Sequence, residues 1–206
     1  MYSRFQLAKK YIHHYLVSSN GKGHGTHSPF VFDFIIHVLT DKKNYDAYTS
    51  IERLRSTLKN DTTVLEIEDF GAGSATNKTN RRAISEMAHH AAKSPKIAQL
   101  LFRIVRYYRP KFMLELGTSL GISASYLASG NPDAKLVTIE GASSIATVAQ
   151  QNFESLGLRN TELLTGNFAN MLPEILNKAI VPDLVFIDGN HRKEPTLNYS
   201  HQLLTK

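Results

Sequence analysis

Four short apolar runs alternate with longer amphipathic segments in the part of the chain after Pro110. An apolar run of this length between turn residues is typical of a buried strand, and the segments between the runs have helical length. Strands that alternate with helices form right-handed βαβ units and a parallel sheet. The predicted strands are KFMLEL, KLVTIE, TELLTG and DLVFID, and the predicted helices are ISASYLAS, ASSIATVAQQNFESLG, FANMLPEILNKA and RKEPTLNYSHQLL.

The part of the chain before Pro110 carries mainly helical signals. Apolar residues from Phe5 to Leu16 recur at helical spacing, and PFVFDFIIHVL begins with a proline that suits a first helical turn. Three further helices are predicted, from Ile51 to Leu58, from Arg82 to Ala92 and from Ile97 to Tyr108. We therefore divide the chain into a helical N-terminal region with glycine-rich loops, residues 1–94, and an α/β domain, residues 95–206.

Composition and charge narrow the classes of function. The 206 residues include no cysteine, which excludes a disulfide framework, thiol catalysis and cysteine-ligated zinc. No apolar run approaches the roughly 18 residues of a membrane span, and the N-terminus lacks the apolar stretch of a signal peptide. The net charge is +6, but the basic residues stand singly or in pairs and do not predict a nucleic-acid surface. We expect a cytoplasmic protein without a membrane span.

Polar residues and glycines follow each of the four predicted strands. In parallel sheets ligands bind beyond the carboxyl ends of the strands, so these are the candidate site residues. Glu140 ends the second strand 23 residues after Gly117, close to the roughly 20-residue offset at which an acid accepts hydrogen bonds from a ribose. An acid at a strand end can also be merely solvated. The other strand-end residues are Glu115, Asn167, Phe168, Asp188 and His191.

The loop after the first strand is compatible with two kinds of protein. Gly117-Thr118-Ser119-Leu120-Gly121 matches the G-x-S-x-G turn of serine hydrolases, and Ser119, Asp188 and His191 follow the chain order of that catalytic triad. However, Asp188 and His191 lie on one loop, whereas the acid of a triad approaches the histidine from a separate element. The loop also does not match the G-x-G-x-x-G fingerprint of dinucleotide-binding proteins, because the second and third glycine positions hold Ser119 and Ile122. A ligand with a ribose but no pyrophosphate fits better, and S-adenosylmethionine is such a ligand.

Four motifs in order, FMLELGTSLGISASYLA, KLVTIEG, LLTGNF and PDLVFIDGNH, resemble the class I S-adenosylmethionine-dependent methyltransferases. The resemblance is to the branch of small-molecule O-methyltransferases that includes catechol O-methyltransferase. It implies a Rossmann-like α/β fold, S-adenosylmethionine as cofactor and methyl transfer to a small-molecule acceptor, with a hydroxyl group as the expected target. The resemblance also implies a role for each strand-end residue. The ribose of the cofactor would be held by Glu140, the adenine would be flanked by Asn167 and Phe168, and the methyl group would lie beside Asp188. The methionine part would be surrounded by Glu115, Gly117, Thr118, Ser119 and Gly121.

The resemblance implies a catalytic role for Asp188 and leaves several roles open. In the catechol-type branch a divalent cation such as Mg²⁺ is bound by this aspartate, which makes Asp188 a candidate metal ligand. His191 follows it and could act as general base, support an ion on Asp188, or be an ordinary loop histidine. A non-catalytic module that binds S-adenosylmethionine or a nucleoside is the alternative function, and a serine hydrolase ranks behind it.

The family fold continues through three more strands after the fourth. We therefore expect the C-terminal strands to be missing from this chain, with the first strand central and the fourth beside it. The run Leu184, Val185, Phe186 and Ile187 is continuously apolar, so it should form an uncovered edge. Such an edge predicts self-association, including a homo-oligomer.

Overall fold

The computed structural model describes residues 9–10, 13, 28–67, 81–177, 181–190 and 192–205. The chain forms two compact units, Met1–Lys43 and Asn44–Lys206. In the first unit helix α1 (Pro29–Phe34) starts after Ser28, whose hydroxyl accepts a hydrogen bond from the Val31 N–H, and it continues as a π-helical segment, Ile35–Leu39. The helix predicted from Phe5 to Leu16 lies almost entirely outside the described residues.

Three helices and a small hairpin precede the main sheet in the second unit. The hairpin pairs two antiparallel strands and places Leu65 opposite Arg82. The prediction of a helix from Arg82 to Ala92 was therefore wrong at its start, because Arg82 lies in a strand. Strands of three residues are too short for a pattern of alternation to show, and the pairing partner decides their conformation. The elements are α2 (Asp46–Lys59), β1 (Val64–Glu66), β2 (Arg81–Ala83), α3 (Ile84–His90) and α4 (Pro95–Tyr108).

Four parallel strands form the main sheet, in the order β5-β4-β3-β6. The first and fourth predicted strands are neighbours, with Leu116 beside Ile187, and Leu116 also pairs with Ile139 on the other side. The central strand is buried on both faces, as its mainly apolar run predicts. The predicted parallel α/β fold is thus confirmed. The strands are β3 (Phe112–Leu116), β4 (Lys135–Glu140), β5 (Thr161–Thr165) and β6 (Leu184–Ile187).

Helices cover both faces of this sheet, which gives three layers. On one face Met113 packs with Leu127 and Phe153, and on the other Leu114 packs with Leu172 and Tyr199. No helix of the described ranges is long and apolar enough to cross a membrane. The helices that follow the strands are α5 (Ile122–Gly130), α6 (Ser143–Ser155), α7 (Phe168–Asn177) and α8 (Lys193–Leu204).

Candidate cofactor and active site

A cleft opens at the carboxyl ends of the four parallel strands. The cavity has a volume of about 200 Å³ and is open to solvent on one side. Residues that follow β3, β4, β5 and β6 all contribute to its walls. Of the predicted site residues, six line this cleft: Gly117, Ser119, Glu140, Asn167, Phe168 and Asp188.

The loop after β3 passes very close to the loop after β6. Gly117 has a φ of +106°, and a Cβ atom at this position would lie 2.8 Å from the carbonyl carbon and oxygen of Asp188 and from the Gly189 nitrogen. The N–H groups of Gly117 and Thr118 both donate to the Ile139 carbonyl, at 3.0 and 3.1 Å. Glycine is therefore required here for both its conformation and its size.

Replacing Gly117 with alanine should destabilise the chain far more than the same change at Gly157. Both glycines have positive φ, but nothing lies within 4 Å of a Cβ atom at Gly157. Gly157→Ala should cost only the backbone strain of about 1–2 kcal/mol. Gly117→Ala adds a clash with backbone atoms, and we expect a larger loss of unfolding free energy in urea denaturation. Equal losses for the two variants would contradict the close approach of the two loops.

Glu140 joins the loop after β3 to the start of α6. Its Oε2 accepts a hydrogen bond from the Ser119 N–H at 2.8 Å, and its Oε1 accepts from the Ala142 N–H at 3.1 Å. Burial raises the pKa of Glu140, and the backbone hydrogen bonds offset part of that rise. A carboxylate has about four lone-pair positions, so two further hydrogen bonds can be accepted from a ligand in the cleft.

Glu115, Thr118 and Gly121 do not line the main cleft. The Glu115 side chain is fully buried behind the loop, where its Oε2 accepts from the Thr138 hydroxyl at 2.6 Å. Burial raises the pKa of Glu115 to about 8. The Thr118 hydroxyl lies 2.6 Å from that of Thr138. Gly121 is the N-cap of α5, and a Cβ atom at this position would lie 2.7 Å from the Phe153 ring. These residues shape the loop from behind, and their predicted contact with a cofactor stays a prediction.

Asn167 and Phe168 form one end of the cleft. The Asn167 Oδ1 accepts from the Ala169 N–H at 2.8 Å and so caps the start of α7, which fixes the position of Phe168. The Phe168 ring meets Tyr199 of α8 edge-on, with ring centroids 6.1 Å apart, and it also packs on Gly189. A flat aromatic face bordered by an amide is suited to a purine base.

Several lining residues were missed by the sequence analysis. Ile67 and Arg82 reach the cleft from the end of β1 and from β2, and Tyr199 reaches it from α8. Lys93, between α3 and α4, places its Nζ 2.6 Å from Oδ1 of Asp188. None of these follows a strand of the parallel sheet, so a search of strand ends could not find them. His191 lies outside the described residues.

Comparison with known protein families and relatives agrees with the resemblance carried by the four motifs. Residues 114–206 match the family described as a methyltransferase domain. The catechol O-methyltransferase of Niastella koreensis is 32% identical over 109 residues, which cover 52% of this chain and 48% of that protein. The catechol O-methyltransferase of mouse is 34% identical over 94 residues, covering 44% and 36% of the two chains. The chain thus spans about half or less of the length of these relatives.

Solved structures support the fold. The O-methyltransferase from Bacillus cereus in complex with S-adenosylhomocysteine superposes with a TM-score of 0.56 at 20% identity, over 81% of this chain and 63% of that one. The O-methyltransferase TomG from Streptomyces achromogenes, in complex with S-adenosylmethionine, gives a TM-score of 0.55 at 22% identity, over 79% and 61%. These matches confirm the Rossmann-like arrangement of sheet and helices.

Proposed function

We propose that this chain, whose residues 114–206 match a methyltransferase domain, is a class I S-adenosylmethionine-dependent methyltransferase that binds S-adenosylmethionine in the cleft and transfers its methyl group to a hydroxyl of a small molecule. One observation carries the proposal: residues that follow all four parallel strands meet around one cavity, and the Glu140 carboxylate lies in its wall. The relatives described as catechol O-methyltransferases support a hydroxyl acceptor.

The residues around the cleft fit the proposed cofactor. Glu140 has the lone pairs to accept from two vicinal ribose hydroxyls while it keeps both backbone hydrogen bonds. Phe168 and Asn167 offer an aromatic face and an amide to the adenine.

The protein has a limited chemical task in this reaction. Bound S-adenosylmethionine would supply a methyl group on a positively charged sulfur. The acceptor oxygen would form a bond to the methyl carbon as the carbon–sulfur bond breaks, and the electron pair of that bond would stay on sulfur. The chain must align the acceptor with that bond and accept the hydroxyl proton. We propose Asp188 as the residue that orients the acceptor, since it lines the cleft beside Gly117. His191 stays our candidate for accepting the proton.

The proposal is tested by binding and by turnover. We expect S-adenosylmethionine and S-adenosylhomocysteine to bind this chain in calorimetry, and a labelled methyl group to appear on 1,2-dihydroxybenzene or another phenolic probe. Binding without transfer to any of a panel of hydroxylated aromatic compounds would favour a non-catalytic S-adenosylmethionine-binding module. Absence of binding would contradict the proposed function.

Replacing Ser119 with alanine should leave methyl transfer largely intact. The backbone N–H of Ser119 donates to Glu140, and its hydroxyl has no hydrogen-bond partner among the described residues. Alanine keeps that N–H, so we expect the rate to change by less than about tenfold, whereas loss of a nucleophile costs several powers of ten. Labelling of the wild-type serine by a fluorophosphonate would show instead that the hydrolase interpretation is correct.

A further inference from the structure

Lys93 forms an ion pair with the aspartate at the end of β6. The distance from Nζ to Oδ1 of Asp188 is 2.6 Å, and the two side chains are 34% and 13% exposed. Lys93 also lines a small recess next to the main cleft, together with Thr118 and Ser119 of the loop after β3. A positive charge from the helical region is thus placed where the acceptor hydroxyl is expected.

A buried network holds the backbone of Lys93 in place. Arg55 of α2 donates from Nη1 to the Lys93 carbonyl at 2.7 Å, and only 4% of the Arg55 side chain is exposed. The Arg55 Nε donates to both carboxylate oxygens of Glu52, at 3.0 and 2.9 Å, and Glu52 accepts from the Tyr126 hydroxyl at 2.8 Å. Charge-assisted hydrogen bonds of this kind are short and directional, so α2 and α5 together fix the position of the Lys93 backbone.

The residues beside Asp188 do not fit a divalent cation. Mg²⁺ requires about six oxygen ligands near 2.1 Å, and an ammonium group 2.6 Å from the same carboxylate oxygen would repel such an ion. Within the described ranges no group of three or more histidine, aspartate and glutamate side chains could hold a metal ion. The carboxylate that the catechol-type resemblance implies as a metal ligand is therefore paired with a lysine instead.

We propose that Lys93 is a positioning residue that supplies the positive charge at Asp188, so that methyl transfer by this chain needs no divalent cation. The inference rests on the proposed function for its catalytic part. The ammonium group orients the Asp188 carboxylate and adds a fixed positive charge near the acceptor oxygen, whose negative charge grows as its proton leaves. The helical region would then contribute to the chemistry as well as to the stability of the sheet.

The test combines an assay of turnover with a measurement of metal binding. Lys93→Met removes the charge at similar length, Lys93→Arg retains a charge, and Lys96→Met is the matched control at a nearby exposed lysine. We expect wild-type methylation of 1,2-dihydroxybenzene to be unaffected by a chelator. Lys93→Met should lower kcat by about tenfold or more, with the affinity for S-adenosylhomocysteine retained, and Lys93→Arg should restore most of the rate.

Manganese binding gives a readout that does not require turnover. Removal of a like charge this close should raise the weak affinity of the Asp188 carboxylate for Mn²⁺ by at least about tenfold in Lys93→Met, as measured by electron paramagnetic resonance. The double variant Lys93→Met/Asp188→Asn should lose that gain. Wild-type activity that disappears with a chelator and returns with Mn²⁺, or equal Mn²⁺ affinity in wild type and Lys93→Met, would overturn the inference. Failure of the wild type to bind S-adenosylhomocysteine would contradict the proposed function. The Mn²⁺ affinities of wild type and Lys93→Met would then still test whether Lys93 keeps a cation away from Asp188.

Discussion

Replacing Glu140 with alanine is expected to weaken the binding of S-adenosylmethionine and S-adenosylhomocysteine by about 1–3 kcal/mol, because the ribose hydroxyls lose a charged acceptor. The substitution also removes two hydrogen bonds that hold the backbone of Ser119 and Ala142. Calorimetric titration of the folded variant measures the loss. Glu154→Ala, at an exposed position of α6, is the control for the substitution itself.

A comparison of ligands separates the two roles of Glu140. If its carboxylate binds the ribose, the wild type should prefer S-adenosylhomocysteine to the 2′-deoxy analogue, and Glu140→Ala should lose most of that preference. A variant that binds both ligands more weakly by the same factor would show that Glu140 only organises the loop. Unchanged affinity for both ligands would remove Glu140 from the site.

Glu115 should make the stability of the chain depend on pH in an unusual direction. Its pKa is raised by burial to about 8, from 4.5 for an ordinary glutamate. Between these two values the folded chain keeps a proton that the unfolded chain has lost. The free energy of unfolding contributed by this group is therefore highest below pH 4.5 and falls as the pH rises toward about 8, with a limiting slope of about 1.4 kcal/mol per pH unit.

Glu115→Gln should remove this dependence, because an amide of the same shape stays neutral. Urea unfolding at several pH values between about 5 and 8 measures it. We expect the stability of Glu115→Gln relative to wild type to increase steadily with pH, and a constant cost of burying the amide does not alter that slope. Glu174→Gln, on the exposed side of α7, controls for the substitution. Parallel curves for wild type and Glu115→Gln would show that Glu115 takes up no extra proton on folding.

The sheet could be predicted because its strands are encoded locally. The runs around Met113, Leu136 and Val185 are mainly apolar, which is characteristic of parallel strands covered on both faces. The hairpin formed by Val64–Glu66 and Arg81–Ala83 could not be predicted in this way. Each of its strands has three residues, and Arg82 is as compatible with a helix as with a strand until its partner Leu65 is known.

The candidate site was predictable where it follows strand ends and unpredictable elsewhere. Gly117, Glu140 and Asp188 come together because the carboxyl ends of β3, β4 and β6 lie at one edge. Lys93 precedes Asp188 by 95 residues, and only the packing of α2, α3 and α4 brings the two side chains together. Glu115 is a different case, since this strand-end acid in the motif is buried behind the loop and its predicted contact with a cofactor stays a prediction.

The central claim is that the cleft at these strand ends is a site for S-adenosylmethionine, and a crystal structure of the chain with S-adenosylhomocysteine tests it most directly. We predict that the ribose hydroxyls lie within hydrogen-bond distance of Glu140, that the adenine contacts Phe168, and that the sulfur lies on the side of the cleft nearest Asp188. A ligand bound at another surface, or a cleft in which Glu140 makes no contact with the ribose, would contradict the account.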